Sequence, residues 1–232
     1  MRTSEGMTPD QPPLAEFRGM ARLFPLPNLV FFPQAVQPLH IFEPRYREMT
    51  ADALAGDQYI ALVLPKSGWE KSYAGKPALH QIACLGQITA HQKLPDGRYN
   101  LLLKGISRIR IEEEVSEGKL YRTARAEAID EVPLGDKTKD KAWRRRLGRE
   151  VPTWFPGQDQ VIQEFRKLFR SSLSLGTLCD IMAFALPLEA EFKQALLEEV
   201  QVDRRLCRLV KQLEIMHCPP SQRTFPPGFS SN

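Results

Sequence analysis

The fold is decided by the stretch Leu23-Phe-Pro-Leu-Pro-Asn-Leu-Val-Phe-Phe-Pro-Gln-Ala-Val-Gln-Pro-Leu-His-Ile-Phe-Glu-Pro-Arg-Tyr-Arg-Glu-Met-Thr-Ala-Asp-Ala-Leu-Ala-Gly56. Pro25, Pro27, Pro33, Pro38 and Pro44 exclude a helix before position 44, because each lacks an amide proton and disfavours the helical region in the residue before it. The apolar residues between them are too many for a solvated loop and predict short, kinked strands packed on a core. At Pro44 the pattern changes. Proline suits the first helical position, where an N–H would go unpaired anyway. Tyr46, Met49, Thr50, Ala53 and Leu54 then recur at helical spacing, and Gly56 can close the helix. The stretch reads strand, turn, strand, helix.

Downstream, Tyr59-Ile-Ala-Leu-Val-Leu64 is a short apolar run ended by Pro65, which predicts a buried strand. Residues 65–80 form a polar loop, long for a compact domain, which reads as either mobile or lying over a binding surface. From Ile82 to Leu103 two alternating segments flank Pro95-Asp-Gly97, the pattern of a β-hairpin. Gly105 breaks the alternation. A further strand follows from Arg108 to Val115, and a weaker one from Lys119 to Ile129.

Composition shifts at Pro133-Leu-Gly135. Residues 137–150 are strongly charged, and the rest reads helical. Val161, Ile162, Phe165, Leu168, Phe169 and Leu173 make one apolar face. Thr177 to Leu186 is almost wholly apolar, with Thr177 as a plausible N-cap. Phe192, Ala195, Leu196 and Val200 mark a third helix. Asp203 can cap a fourth, whose face is Leu206, Leu209, Val210, Leu213 and Met216. Short connections favour an antiparallel bundle. The expected organisation is a disordered leader (1–21), an antiparallel β subdomain with one helix (22–132), a helical subdomain (133–217, with 133–158 a charged linker or helix) and a disordered tail (218–232). The fold class is α+β.

At 232 residues with 42% hydrophobic content, the chain can bury a core. A net charge of +4 is too mild to argue for nucleic acid by itself. No run approaches the roughly 18 apolar residues of a membrane helix. The first 22 residues hold no secretory h-region. Cys84, Cys179, Cys207 and Cys218 are far apart and read as thiols of a reducing, cytoplasmic compartment.

The residue constellations of common chemistry are missing. There is no Gly-x-x-x-x-Gly-Lys-[Ser/Thr] phosphate loop, since Gly75-Lys76 is followed by Pro77 where a hydroxyl should stand. There is no Gly-x-Ser-x-Gly elbow. His40, His80, His91 and His217 are scattered. His40 reads as a hydrogen-bonded structural residue. His80 and Cys84 have a spacing two zinc ligands could use, but no second pair follows. Glu112 and Glu114 share a strand face, read as solvated beside Arg108 and Arg110. Glu43 and Arg45 flank Pro44 as an ion pair or cap. No catalytic residue, metal or cofactor is expected.

Two features point to binding. The basic run around Lys141, Arg144, Arg145 and Arg146 reads first as a solvated helix or linker. Its sharper alternative is an RNA-binding patch, though the aromatic residues near it are few: Trp143, Trp154 and Phe155. Leu29-Val-Phe-Phe32 carries more apolar surface than one short strand usually buries. It is either core or an exposed patch or edge that takes an extended peptide by strand addition.

Leu26-Pro-Asn-Leu-Val-Phe-Phe-Pro33 and Pro38-Leu-His-Ile-Phe-Glu-Pro-Arg-Tyr-Arg-Glu-Met49 resemble the opening of the Lon protease N-terminal domain, also called the Lon substrate-binding domain. Leu85-Gly-Gln-Ile88, Leu94-Pro-Asp-Gly-Arg-Tyr-Asn-Leu-Leu-Leu-Lys-Gly105 and Arg108-Ile-Arg-Ile111 resemble its central hairpin. Ala183-Phe-Ala-Leu186 and Lys193-Gln-Ala-Leu-Leu-Glu198 resemble its helical half. The resemblance covers about residues 22–216. It implies a PUA-like β-barrel followed by a helical subdomain. It also implies a stand-alone, bacterial-type, non-catalytic module without the ATPase and serine–lysine protease modules of full-length Lon. Such a module would bind unfolded or degron-bearing polypeptides, or act as an adaptor for a separate ATP-dependent protease. The residues expected to bind are Leu29, Phe31, Phe32 and Tyr46, with the 65–80 loop. No membrane partner is expected.

Overall fold

The computed structural model describes Leu14 and residues 17–69, 76–116 and 118–215. Most of the expected leader and all of the expected tail, with His217 and Cys218, lie outside the described residues. So does the middle of the 65–80 loop. The described part of the leader is structured: β1 (Met20–Pro25) begins two residues before the expected boundary, and Leu14 and Phe17 pack on the core.

The chain continues through β2 (Val36–Ile41), α1 (Pro44–Leu54), β3 (Tyr59–Val63), β4 (Ile82–Lys93), β5 (Tyr99–Val115) and β6 (Arg122–Ile129). Strand order is β2-β5-β4-β3-β1-β6, and β5 also pairs with β6. The pairings β1–β3, β3–β4, β4–β5, β5–β6 and β6–β1 therefore close a five-strand ring, a small barrel. β5 makes closure possible by its length. Along one edge it pairs with β4, and along the other first with β2 and then with β6. One pairing departs from the antiparallel expectation. β1 and β3 run parallel, because β2 and α1 intervene as a crossover between them.

Gly105 does not end a strand, as its break in the alternation suggested; β5 runs straight through it. The chain at Phe32–Ala35 crosses directly over this point. Gly105 N–H donates to the Ala35 carbonyl at 2.8 Å, and Gln34 N–H donates to the Gly105 carbonyl at 2.8 Å. A Cβ at position 105 would collide with the carbonyl oxygen of Phe32, so only glycine admits this close approach.

Side chains alternate between two cores. Leu23, Ala61, Ala83, Leu85, Ile109 and Ala124 face the ring interior, where alanines suit the narrow space. Phe24, Ile60, Leu62 and Cys84 face outward into a second, larger core that continues into the helical half. β1, β3 and the first half of β4, to Ile88, are thus buried on both faces, because a second layer packs against the barrel.

That second layer comprises α2 (Asp140–Glu150), α3 (Asp159–Arg170), α4 (Leu175–Ala185), α5 (Ala190–Glu198) and α6 (Val202–Ile215). The charged 133–158 segment holds a full helix plus a 3-10 turn at Val151–Trp154. Two caps differ from expectation. Ser174, not Thr177, caps α4, its Oγ accepting from Thr177 N–H at 3.1 Å. Asp203 lies inside the first turn of α6. Leu173 lies beyond the end of α3.

The halves are joined by a buried charge network. Arg108 on β5, read as solvated, is buried. Its guanidinium makes a bidentate pair with Asp180 on α4 at 2.9 and 2.7 Å, and its Nε donates to the Leu197 carbonyl at 2.8 Å. Arg205 on α6 is fully buried. It donates to Glu131 at 2.6 Å and to the Glu199 carbonyl at 2.9 Å, with Nε 3.3 Å from Asp180. Burial, the largest single influence, disfavours its charge, but Asp180, Cys179 and Glu131 together outweigh it and hold its pKa above the ordinary value.

Removing one partner of a buried pair leaves uncompensated charge, at a cost of about 3–5 kcal/mol. Asp180→Ala, which strands two arginines, should therefore lower unfolding stability in urea by at least about 3 kcal/mol. Removal of the exposed pair Arg110–Glu127 should change it by less than about 1 kcal/mol.

Candidate functional site

The structure separates the residues expected to bind. Phe31 and Phe32 are 1% and 0% exposed, so neither is available to a peptide. Phe31 meets Phe184 of α4 edge-on at 6.0 Å. Residues 29–32 form no strand, so strand addition there has no ladder to extend. Leu29 is half-buried against the same core. The nearest edge belongs to β2. Its register with β5 points Val36, Pro38 and His40 outward, and Pro38 has no N–H to offer. The Pro38 carbonyl is already taken by Gln37 Nε2 at 2.8 Å.

The basic segment is largely committed to internal contacts. Arg144 pairs with Asp140 at 2.6 Å and donates to the carbonyls of Phe169, Ser171 and Leu173, closing the end of α3. Arg146 reaches Glu214 of α6 at 2.7 Å. Lys141 and Arg145 are exposed. Trp154 and Phe155 are core residues, which removes the aromatic platform an RNA surface needs. His40 bonds Asn100 across the β2–β5 pair at 2.7 Å.

Tyr46 and the ends of the 65–80 loop do meet, in a cleft of about 400 Å³. Five segments build it. Pro25 ends β1 and Pro27 follows it; Arg45 and Tyr46 open α1; Pro65, Lys76 and Pro77 come from the loop; Glu114 and Val115 end β5, with Ser116 just beyond; and residues 119–122 lead into β6. Tyr46 packs on Phe24 with ring centroids 4.3 Å apart, and the Arg45 guanidinium lies 4.6 Å from its other neighbour, the Tyr46 ring centre. Arg122 donates to the Pro77 carbonyl at 2.7 Å and pairs with Glu114, fixing the loop against the sheet. Leu120, in this wall, is 65% exposed. Sequence reading placed Leu120 in a strand and missed it; the available signal was a lone leucine after Gly118-Lys119.

A second cavity of about 320 Å³ adjoins the cleft, sharing Lys119 and Tyr121. The Tyr121 hydroxyl donates to Asp52 at 2.8 Å, and Lys119 reaches the same carboxylate at 2.9 Å. Burial, with the Asp52 bond, pushes the Tyr121 hydroxyl up to about 12. The Lys119 bond holds the Asp52 carboxyl below its usual value. The base of the loop is tied to α5, with His80 Nδ1 3.2 Å from Glu198 and Ser67 Oγ donating to Glu191 at 2.9 Å. Among the described residues no three His, Cys, Asp or Glu side chains converge as metal ligands. Cys84 and Cys179 are buried, and burial raises both thiol pKa values, Cys179 to about 12. Thiolate chemistry is suppressed at both.

Phe31→Ser or Phe32→Ser should destabilise the fold by about 3 kcal/mol or more in urea, so neither can report on binding. Tyr121 gives a pH signature. Its folded pKa lies above its ordinary 10.0, so its stabilising contribution is complete below pH 10 and drains away as pH rises toward about 12. Tyr121→Phe should flatten the alkaline fall in melting temperature above pH 10.

The family model for the ATP-dependent protease La (LON) substrate-binding domain matches residues 20–214. Lon protease 2 of Myxococcus xanthus is 29% identical over 194 residues, covering 82% of this chain and 23% of that protein. The Lon protease of Anaeromyxobacter dehalogenans (strain 2CP-C) is 28% identical over 194 residues, covering 82% and 22%. The chain spans less than a quarter of the length of these relatives. Among solved structures, the N-terminal domain of Mycobacterium avium complex Lon protease superposes with a TM-score of 0.65 at 16% identity, covering 84% of this chain and 98% of that one. The Lon N-terminal domain protein from Xanthomonas campestris gives 0.59 at 22%, covering 83% and 97%. Both share the fold. No helix among the described residues is long and apolar enough to cross a membrane. By the match over residues 20–214, the chain belongs to the family of LON substrate-binding domains.

Proposed function

We propose that this chain is a non-catalytic, cytoplasmic polypeptide-recognition module that takes exposed apolar segments of unfolded or degron-bearing clients into the cleft beside Tyr46 and Tyr121. It would present them to a separate ATP-dependent protease. The observation that carries this reading is the cleft itself: about 400 Å³, within the roughly 300–1,000 Å³ range of ligand pockets, with an exposed leucine in its wall. Four prolines line it. Their rings are apolar and their backbones already restricted, so little conformational freedom is lost when a ligand is ordered against them. Family membership supports this ligand class, and the cleft lies away from the buried phenylalanines.

Leu120→Ser tests the site, because an exposed side chain can be shortened without opening the core. In fluorescence anisotropy, a reduced, carboxymethylated protein should bind the wild-type chain at low and high salt. Leu120→Ser should weaken that binding about five- to tenfold, about 1 kcal/mol of lost apolar burial, with no change in melting temperature. Undiminished binding by Leu120→Ser would overturn the site. Binding only to RNA, falling steeply with salt and lost on replacing Lys141 and Arg145, would move the function to α2.

A further inference from the structure

The two ends of the 65–80 loop wall the cleft on little main-chain support. They pair as a short ladder. Lys66 N–H donates to the Ala78 carbonyl at 2.8 Å and His80 N–H to the Leu64 carbonyl at 3.0 Å, on either side of the bridge between Pro65 and Leu79. Pro65 and Pro77, which line the cleft, have no N–H to add to that ladder. The position of the wall therefore depends on side chains.

Two holds supply it, one from each half of the molecule. On the barrel side, Arg122 donates to the Pro77 carbonyl at 2.7 Å. On the other side stands α5. Glu198 Oε1 lies 3.2 Å from His80 Nδ1, and since an ionised carboxylate only accepts, that nitrogen carries the proton. The same oxygen accepts from Gln194 Nε2 at 2.9 Å, which also donates to the Ile82 carbonyl at 2.9 Å. Gln194 is buried, so the brace starts from the first residue of β4 and has no room to swing. Two turns earlier on α5, Glu191 accepts from Ser67 Oγ at 2.9 Å and stands 3.5 Å from His80 Nε2. The connection runs from Ile82 through Gln194 and Glu198 to His80, and from His80 along the ladder to Pro77.

We propose that Glu198, outside the cleft, is a positioning residue for client binding: it fixes His80 and, through the ladder, the Pro65 and Pro77 wall against which a client is ordered. This rests on the polypeptide-binding reading of the cleft. A wall already held has little freedom to lose when a client arrives, whereas a released wall must be ordered by the client itself. Glu198 ends α5, where its negative charge opposes the helix dipole, so the helix does not depend on it.

The test measures affinity and local opening together on the whole chain. A reduced, carboxymethylated protein is titrated by anisotropy, and amide hydrogen exchange is followed at Lys66 and His80, with the amides of the β4–β5 hairpin as reference. Glu198→Ala should weaken binding about three- to tenfold, the penalty for ordering a released side chain or two. It should speed exchange at Lys66 and His80 about tenfold while the hairpin keeps its rates. His80→Ala cuts the same link from the loop side and should do the same, and the double variant should bind no more weakly than either single one. Glu198→Gln keeps an oxygen facing His80 and should recover most of the affinity. Leu120→Ser should weaken binding with exchange unchanged. Faster exchange in Glu198→Ala with undiminished affinity, while Leu120→Ser still weakens binding, would overturn the positioning role and leave the polypeptide reading standing. Unchanged exchange in both Glu198→Ala and His80→Ala would overturn it too, as would faster exchange throughout the barrel, which would make Glu198 merely structural. No binding by the wild-type chain would overturn both readings.

Discussion

Asp180 holds two arginines from two other elements, and the relation between barrel and helices depends on that arrangement. A carboxylate this deeply buried is tolerable only when its oxygens are fully used. Arg108 takes both with a bidentate fork, and Arg205 stands 3.3 Å from one of them. Two cations against one anion would leave charge over, and Glu131 on the connecting segment supplies the second carboxylate. The network draws on β5, α4, α6 and the linker. No pair of these elements can shift without stranding a charge in the core, so it fixes register more than it adds net stability.

From that fixed register follows the double burial of the sheet. β5 carries Arg108 at the point where its pairing along one edge passes from β2 to β6. Anchoring Arg108 therefore anchors ring closure as well as the helical layer. The chain at Phe31–Phe32 is the filling between these layers, and Gly105 is the point where it crosses β5. These apolar residues are dense for the same reason that they are inaccessible: they serve a second core.

Much of the architecture was legible in the sequence. Proline spacing excluded a helix before Pro44, and α1 starts there. Alternation around Pro95-Asp-Gly97 specified the β4–β5 hairpin. What escaped shares one physical cause: local pattern does not report what lies opposite. Phe31 and Phe32 read as candidates for exposure because no single strand could bury them; both lie in the core shared with the helices, and Phe31 meets Phe184 of α4, some 150 residues downstream by numbering. Arg108 looked solvated beside Arg110 because its partner, Asp180, lies 72 positions away. Of the residues expected to bind, Tyr46 is itself only 5% exposed in the cleft wall, and Leu120 escaped notice, since an exposed leucine in a turn resembles the first residue of a strand.

The cleft is a by-product of closure. Its walls reach from Pro25 to Arg122 in sequence and meet only when β6 pairs with both β1 and β5. Arg122 shows the coupling most directly. It opens β6, opposes Leu23 in the β1–β6 register, pairs with Glu114 at the end of β5, and holds the Pro77 carbonyl. One side chain therefore completes the barrel seam and sets the position of the loop that walls the cleft. The parts free to vary without cost to the fold are those at the mouth, Leu120 and Lys76, whose side chains the barrel does not need. Substitution at this mouth therefore changes the surface of the cleft while the scaffold beneath it stays fixed.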